Sequence, residues 1–325
     1  MTVRPHRWRV RATRSVARPS AVRRCVVAVL VTLLSAGCGD PGRDTTADQF
    51  GSGDGAASDP SRRTSTLDSG AGLRVVALVP SITEIVIALG ATEHLVARTD
   101  YDSDAATAEL PSVGGGLAPN LEALVGLETD VVLMTAAREA PAMQQRLNAL
   151  GIEMLLLPTN TIADVYAAIE ELGALLAREA QARKLAESLR TELSVLASSL
   201  ADLEPVDVMY VVWSDPPMTS GSGTFVDELI EVAGGRNVFD DAPLACPTVG
   251  FETILERDPD VLIWSSGGDD PETLDRLREL PGWRDVPAMK EGRVVFVDGT
   301  TFNRPGPGLV TSARTLAHAL HPEAF

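Results

Sequence analysis

The sequence predicts an α/β protein with two similar lobes joined by a long helix. Apolar, β-branched segments alternate with amphipathic helical segments from residue 74 to 157 and again from 206 to 320. A helical segment without Gly or Pro lies between these halves, and one pattern of residues occurs once in each half. Such alternation is typical of parallel sheets that carry helices on both faces.

In the first half, Val-, Leu- and Met-rich runs predict strands at 74–79, 95–98, 131–134 and 154–157. Helices are predicted at 83–90, 120–127, 141–150 and 162–172, of which the first and third end at a glycine. In the second half, strands are predicted at 206–213, 261–264 and 294–297. Helices are predicted at 225–232, around 253–255, at 271–280 and at 310–320.

The joining helix is predicted to run from about Ala174 to Glu204. Gly173 precedes it and Pro205 follows it, where helix-breaking residues are expected. Leucines recur along it at steps of four and three and form one apolar stripe, namely Leu185, Leu189, Leu193, Leu196 and Leu200. At 1.5 Å per residue the helix would be roughly 45 Å long, which is enough to connect two lobes.

The repeated pattern is found at Asn120–Thr135 and Gly250–Ser265. Each copy has a Glu in its third position, then an apolar helical turn, an acidic stretch ending in Asp, and an apolar strand. Glu122 therefore aligns with Glu252. Two copies of one helix–strand repeat indicate two lobes of similar construction.

The N-terminus has the features of an export signal. Residues 1–37 contain eight arginines and no acidic residue, and Cys25–Leu34 is an apolar run too short to span a bilayer as a stable helix. The small residues before Cys38 resemble a bacterial lipoprotein cleavage site, so Cys38 is the predicted lipidation site; a plain secretory signal is the alternative. The segment that follows is rich in Gly, Ser, Thr and Asp and cannot bury enough apolar surface to fold.

These features predict five segments. They are a lipoprotein signal peptide (1–37), a disordered tether (38–72), a first α/β lobe (73–160), a connecting helical backbone (161–204) and a second α/β lobe (205–325).

Composition excludes several functional classes. The net charge is −17, and residues 1–37 contribute +8 of it, so the remainder carries −25. Such an acidic body is a poor partner for nucleic acid or an anionic lipid surface. Gly221–Thr224 is Gly-rich but lacks the phosphate-binding lysine, and no nucleophile elbow with the right spacing is present. His318 and His321 share a face of the last helix, but no Cys or carboxylate cluster with metal-ligand spacing accompanies them. We therefore predict no catalytic residue, no metal site and no cofactor.

Several motifs resemble the extracytoplasmic binding proteins that deliver cobalamin, ferric siderophores or haem to ABC importers. The resemblance covers about residues 73–325. The motifs are VPSITEIVIALG (Val79–Gly90), TDYD (Thr99–Asp102), PSVGGGLAPNLEALVGLETDVVL (Pro111–Leu133), WSDPPMTSGSGTFVDELIEVAGGRNVF (Trp213–Phe239), TVGFETILERDPDVLIW (Thr248–Trp264), RPGPGL (Arg304–Leu309) and LAHALHPE (Leu316–Glu323).

The resemblance implies two Rossmann-like lobes joined by one long α-helix, the class III arrangement, with a ligand held between the lobes. It also implies that Glu122 and Glu252 dock onto arginines of a permease dimer. Charge pairs of this kind steer and orient an encounter. We expect a monomer outside the cytoplasm, held at the cell membrane by its lipid anchor.

Loops at strand ends should line the ligand cleft. The candidate ligand-binding residues are Tyr101, Gly115, Trp213, Cys246, Phe302 and Arg304. Tyr101 and Trp213 offer aromatic faces to a macrocycle, and Arg304 offers a charged donor to a ligand oxygen. We predict cobalamin as the ligand, with a ferric siderophore or haem as the alternative. The alternative stays open because cobalamin binders of this family place tryptophans near Gly116 and Cys246, and this chain has neither.

Overall fold

The computed structural model describes residues 72–116, 118–135, 140–266 and 271–325. The predicted signal peptide, Cys38 and most of the predicted tether lie outside these ranges. Within the described residues, no helix combines the length and apolarity needed to cross a membrane.

The first sheet has four parallel strands in the order β2-β1-β3-β4. The strands are β1 (Val75–Ala77), β2 (Leu95–Ala97), β3 (Val131–Thr135) and β4 (Glu153–Leu157). The helices of this half are α1 (Pro80–Ala88), α2 (Leu121–Gly126) and α3 (Ala140–Ala149), with single 3₁₀ turns at Thr92–His94 and Ala105–Thr107. All four predicted strands of this half are confirmed.

The second sheet has five strands, β5 (Val206–Ser214), β6 (Pro217–Thr219), β7 (Gly235–Asn237), β8 (Val261–Ser266) and β9 (Val294–Asp298). Neighbouring strands in the sheet follow the order β6-β5-β8-β9, and β7 also pairs with β5. Every pairing is parallel except that of β5 with β6. The helices are α6 (Phe225–Val232), α7 (Phe251–Arg257), α8 (Pro271–Glu279), α9 (Pro287–Lys290), α10 (Gly299–Phe302) and α11 (Leu309–Leu320), with 3₁₀ turns at Trp283–Asp285 and Pro322–Ala324.

Two helices join the halves, α4 (Ile162–Leu175) and α5 (Glu179–Leu200). The predicted start of the long helix at Ala174 is corrected to Glu179, and at 1.5 Å per residue its 22 residues span about 33 Å. The break falls at Ala177, whose φ of 53° is left-handed. The Arg178 amide closes the turn by donating to the Gly173 carbonyl at 2.7 Å.

Side chains of the central strands alternate between two apolar clusters, as the period of two requires. Val75 and Val131 face an inner core that also contains the apolar faces of α4 and α5. Val76 and Val132 face an outer core beneath α2 and α3. The inner core continues into the second half through Val208, Ile263 and α11. The predicted α/β class with helices on both sheet faces is confirmed, whereas the predicted lobe boundaries stay predictions.

Candidate functional site

The carboxyl ends of the parallel strands carry the predicted ligand-binding loops. α1 begins at Pro80, shortly after β1 ends at Ala77, so the predicted helix start at Thr83 is corrected. Pro80 occupies the first turn, where a missing N–H is tolerated. β9 ends at Asp298, whose carboxylate accepts hydrogen bonds from the Thr300 amide and hydroxyl and thereby starts α10. Arg304 follows within the same loop.

Arg304 connects the two halves of the protein. Its Nη1 donates to Glu84 Oε1 at 2.6 Å, and its Nη2 donates to the Tyr101 carbonyl at 3.2 Å. The side chains of Arg304 and Glu84 are 20% and 29% exposed, so this ion pair is largely shielded from water. Because the resemblance implies a ligand between the lobes, we call the region around Glu84, Tyr101 and Arg304 the inter-lobe cleft.

Tyr101 lies on a tightly held loop of the first lobe. The Thr99 amide and hydroxyl donate to Asp102 Oδ2 at 2.6 and 2.8 Å, which fixes the turn that carries Tyr101. The ring packs over Gly115, since a β-carbon there would lie 3.6 Å from Tyr101 Cε2. With its side chain on the surface, Tyr101 is 66% exposed and presents one aromatic face.

The second lobe contributes a polar network that includes Asn303, the residue before Arg304. The Tyr210 hydroxyl donates to Asn303 Oδ1, and Asn303 Nδ2 donates to Ser265 Oγ at 3.0 Å. Burial raises the pKa of Tyr210 to about 12, so the hydroxyl remains a donor at physiological pH. Phe302 stacks on Tyr210 with ring centroids 5.5 Å apart and is 3% exposed. The structure therefore places Phe302 in the core, where it supports the loop of Asn303 and Arg304.

Two further candidates lie on the surface of the second lobe, Trp213 near the carboxyl end of β5 and Cys246 in the loop between β7 and α7. Trp213 is 61% exposed, and its Nε1 donates to the Asp215 carbonyl at 2.8 Å, which fixes the orientation of the indole. Cys246 is exposed, although the protein atoms around its sulfur raise the pKa of the thiol. Cys246 lies close enough to Tyr210 to affect its ionisation.

The structure thus brings together three of the six candidates through direct contacts, namely Tyr101, Gly115 and Arg304. Phe302 stacks on Tyr210, whereas Cys246 and Trp213 have no described direct contact with the other candidates. Sequence reasoning missed Glu84, Tyr210 and Asn303. Glu84 was visible as an acidic residue within an otherwise apolar helix, but its partner is 220 positions away.

Glu122 and Glu252 occupy equivalent exposed positions in the helix–strand repeat. Each lies in the first turn of a short helix, α2 or α7, and the pattern of exposed and buried residues is the same along 121–130 and 251–260. In both copies a left-handed acidic residue follows the short helix, Glu128 at φ 49° and Asp258 at φ 42°. The predicted repeat is therefore confirmed in three dimensions.

Two cavities lie outside the inter-lobe cleft. A cavity of about 430 Å³ at the amino ends of β1 and β2 is lined by Arg74, Glu93, His94 and Arg178, among others. A shallow groove of about 670 Å³ follows α4 and α5 and is lined mainly by Glu170, Arg183, Glu187 and Arg190. Neither contains a predicted ligand-binding residue. No group of three His, Cys, Asp or Glu residues arranged to hold a metal occurs in the described ranges.

A family model described as periplasmic binding protein matches residues 75–301. The chain belongs to the periplasmic binding protein family. Proteins of this family are solute-binding proteins, not enzymes, and the match spans both sheets and the helices that join them. The resemblance inferred from the motifs is confirmed at this level.

Relatives within the periplasmic binding protein family cover most of the chain. A vitamin B12-binding protein of Photorhabdus laumondii is 26% identical over 250 residues, 77% of this chain and 88% of the relative. The uncharacterized ABC transporter substrate-binding lipoprotein YvrC of Bacillus subtilis is 27% identical over 307 residues, 91% of this chain and 96% of the relative. The crystal structure of the vitamin B12-binding protein BtuF of Vibrio cholerae superposes with a TM-score of 0.65 at 25% identity, covering 77% of this chain and 96% of that one.

Proposed function

We propose that this protein is the substrate-binding lipoprotein of an ABC importer, which captures cobalamin in the inter-lobe cleft and delivers it to the permease. The observation that carries the proposal is the position of Arg304, which comes from the second lobe and bonds to Glu84 and Tyr101 of the first. A ligand bound there would contact both lobes at once. The names of the relatives support cobalamin as the first ligand to test.

Glu122 and Glu252 are the proposed docking residues. A permease dimer presents the same surface twice, and a protein with two equivalent acidic helices can meet both copies. Both glutamates are exposed and lie at helix N-termini, so their charges are available to a basic partner. The positive end of a helix also favours an acidic side chain in its first turn.

Ligand binding tests the first part of this proposal. The full-length chain, purified in a mild detergent, is titrated calorimetrically with cyanocobalamin, haemin, a ferric trihydroxamate and a ferric tricatecholate. We expect a dissociation constant for cyanocobalamin of about 1 μM or lower, equivalent to roughly 8 kcal/mol. Binding of a siderophore or haemin in place of cobalamin would replace the ligand and keep the importer role. Binding of none of the four would contradict the proposal.

The lipid anchor is tested separately. Cells that express the chain are grown with a radioactive fatty acid, and the labelled protein is compared with the Cys38→Ser variant. Label that depends on Cys38 is expected, because the cysteine sulfur carries the diacylglyceryl group in bacterial lipoproteins. Export with removal of the signal peptide but without label would indicate a plain secretory signal.

A further inference from the structure

The charge of Arg304 is already balanced within the inter-lobe cleft. Its guanidinium pairs with Glu84 at 2.6 Å and also acts on Asp298. The pKa of Asp298 is lowered mainly by hydrogen bonds from the Thr300 side chain and amide, with a smaller effect from Arg304. Arg304 is therefore a donor with a carboxylate beside it, rather than a free positive charge that awaits an anion.

The loop that carries Tyr101 adds further acidic groups near the inter-lobe cleft. We call the charged residues at or next to Glu84, Tyr101 and Arg304 in the chain, together with Arg98 and Asp298, the rim. Asp100 Oδ1 accepts a hydrogen bond from the Ser112 hydroxyl at 2.6 Å, and Asp102 accepts from Thr99. These hydrogen bonds hold both carboxylates in place beside Tyr101. Arg98, which lies in the same loop, donates through Nη1 to the Thr99 carbonyl at 3.0 Å.

Among the described residues of this rim, acids therefore outnumber cations. The acidic residues are Glu84, Asp100, Asp102 and Asp298, and the cationic residues are Arg98 and Arg304. A ligand with several negative charges would meet net repulsion here. A ligand carboxylate bound to Arg304 would also lie beside the largely shielded Glu84 carboxylate, and the two negative charges would repel each other.

A ligand carboxamide, unlike a carboxylate, can bind to Arg304 and Glu84 at the same time. Its carbonyl oxygen can accept from the Arg304 guanidinium, and its NH₂ group can donate to the Glu84 carboxylate, so both partners keep a hydrogen bond. Glu84 Oε2 has no hydrogen-bond donor among the described residues, and it lies beside Gly306, where a β-carbon would be 3.8 Å away. The absence of a side chain at this position keeps that oxygen uncovered.

We infer that the inter-lobe cleft selects neutral or cationic chelates whose amide groups bridge Arg304 and Glu84, and that it rejects polyanionic chelates. This inference rests on the proposed role as a binding protein and names its ligand class. Cobalamin, with its peripheral carboxamides, and ferric trihydroxamates with amide linkages belong to the accepted class. Haemin and ferric tricatecholates belong to the rejected class.

Matched pairs of ligands test the inference on the full-length chain. Cyanocobalamin is compared with its monocarboxylic acids, in which one propionamide is hydrolysed to a carboxylate, and a ferric trihydroxamate is compared with a ferric tricatecholate. We expect the neutral or cationic partner to bind at least about 10-fold more tightly, the effect of one unfavourable charge contact. Raising the salt concentration from about 0.01 to 0.3 M should reduce the preference, because salt screens the repulsion.

The Glu84→Gln variant should reduce the preference to about 2-fold, since Gln keeps an acceptor for Arg304 but carries no charge. Glu93→Gln is the matched control: Glu93 also pairs with an arginine, Arg178, but it precedes β2 at the opposite edge of the sheet. We expect the control to keep the wild-type preference.

Tighter binding of the anionic partner by the wild-type protein would overturn the inference and leave the importer role standing. An unchanged preference in folded Glu84→Gln would also overturn it. If no chelate of either pair binds, the proposed function fails and the inference fails with it. The wild-type comparison requires no variant, so it decides the inference even if Glu84→Gln does not fold.

Discussion

Gly173 of α4 lies directly against Ala182 of α5. A β-carbon on Gly173 would fall 2.3 Å from the Ala182 β-carbon and 3.3 Å from the Arg178 carbonyl oxygen. The two helices turn back on each other here, and Arg190 of α5 stacks on the ring of Tyr166 of α4 at 4.5 Å. The helical connection between the sheets is therefore a packed pair, and a residue without a side chain allows its closest approach.

Replacing Gly173 with alanine should separate this pair. Because neither the backbone nor Ala182 can give way without moving a helix, we expect Gly173→Ala to lower the free energy of unfolding by about 1–3 kcal/mol. Urea denaturation followed by circular dichroism measures the change. Gly126→Ala in α2 is the control, since a β-carbon at Gly126 would have nothing within 4 Å; it should be neutral or stabilise by up to about 1 kcal/mol. Equal effects of both substitutions would contradict the packing argument.

Glu122 and Glu252 should act in delivery of the ligand to the permease and not in ligand binding. The double variant Glu122→Gln, Glu252→Gln is expected to reduce cobalamin uptake by cells at least about 10-fold, because it removes both charge contacts with the permease. Its ligand dissociation constant should stay within about 2-fold of wild type, since neither residue contacts the inter-lobe cleft.

A matched control for docking is Glu179→Gln, which removes an exposed acid from the first turn of α5. Uptake by this variant should equal that of wild type. A double variant that loses uptake and ligand affinity together would show that the two glutamates support the cleft, and would remove them from the docking surface.

Because of Tyr210, the free energy of unfolding should fall as the pH rises above about 10. Its pKa is about 12 in the folded protein and about 10 in the unfolded chain, so folding favours the protonated hydroxyl. This contribution is fully present below pH 10 and is lost as the pH rises towards 12. It amounts to about 2–3 kcal/mol in the free energy of unfolding.

The measurement compares wild type with Tyr210→Phe in urea between pH 8 and 11.5. At pH 8 the variant should be less stable by about 1 kcal/mol, because the hydrogen bond to Asn303 is missing. The difference should shrink above pH 10, since only the wild type must keep a buried hydroxyl protonated. A difference that stays constant over this range would show that Tyr210 does not titrate with folding.

Much of the architecture could be predicted from the sequence because it depends on local patterns. The apolar runs at Val131–Thr135 and Val206–Ser214 form strands, and α6 has the predicted bounds Phe225–Val232. The short strands β6 and β7 were missed because their sequences, Pro-Met-Thr and Gly-Arg-Asn, contain no apolar run. Helix α1 was placed three residues too late, since Pro80 ends a strand and begins a helix equally well.

The break between α4 and α5 shows where local patterns stop being sufficient. Ala177 adopts a left-handed conformation that alanine rarely takes, and neither Gly nor Pro marks it. Contacts with the first lobe fix this turn, since the Arg178 side chain pairs with Glu93 and its Nε donates to the Gly90 carbonyl at 3.4 Å. Tertiary contacts here override the preference of the chain to continue the helix.

By itself, the sequence determined the α/β class and the repeat that carries Glu122 and Glu252, and it predicted the loops at which a ligand site should lie. It could do so because the side-chain periods of helices and strands, and the turn preferences of Gly and Pro, act over a few residues. Only the tertiary structure decided that Arg304 faces Glu84, that Phe302 is buried on Tyr210, and that the rim is acidic. Those relationships join residues far apart in the chain, and their energies depend on distance and burial, which no local pattern encodes.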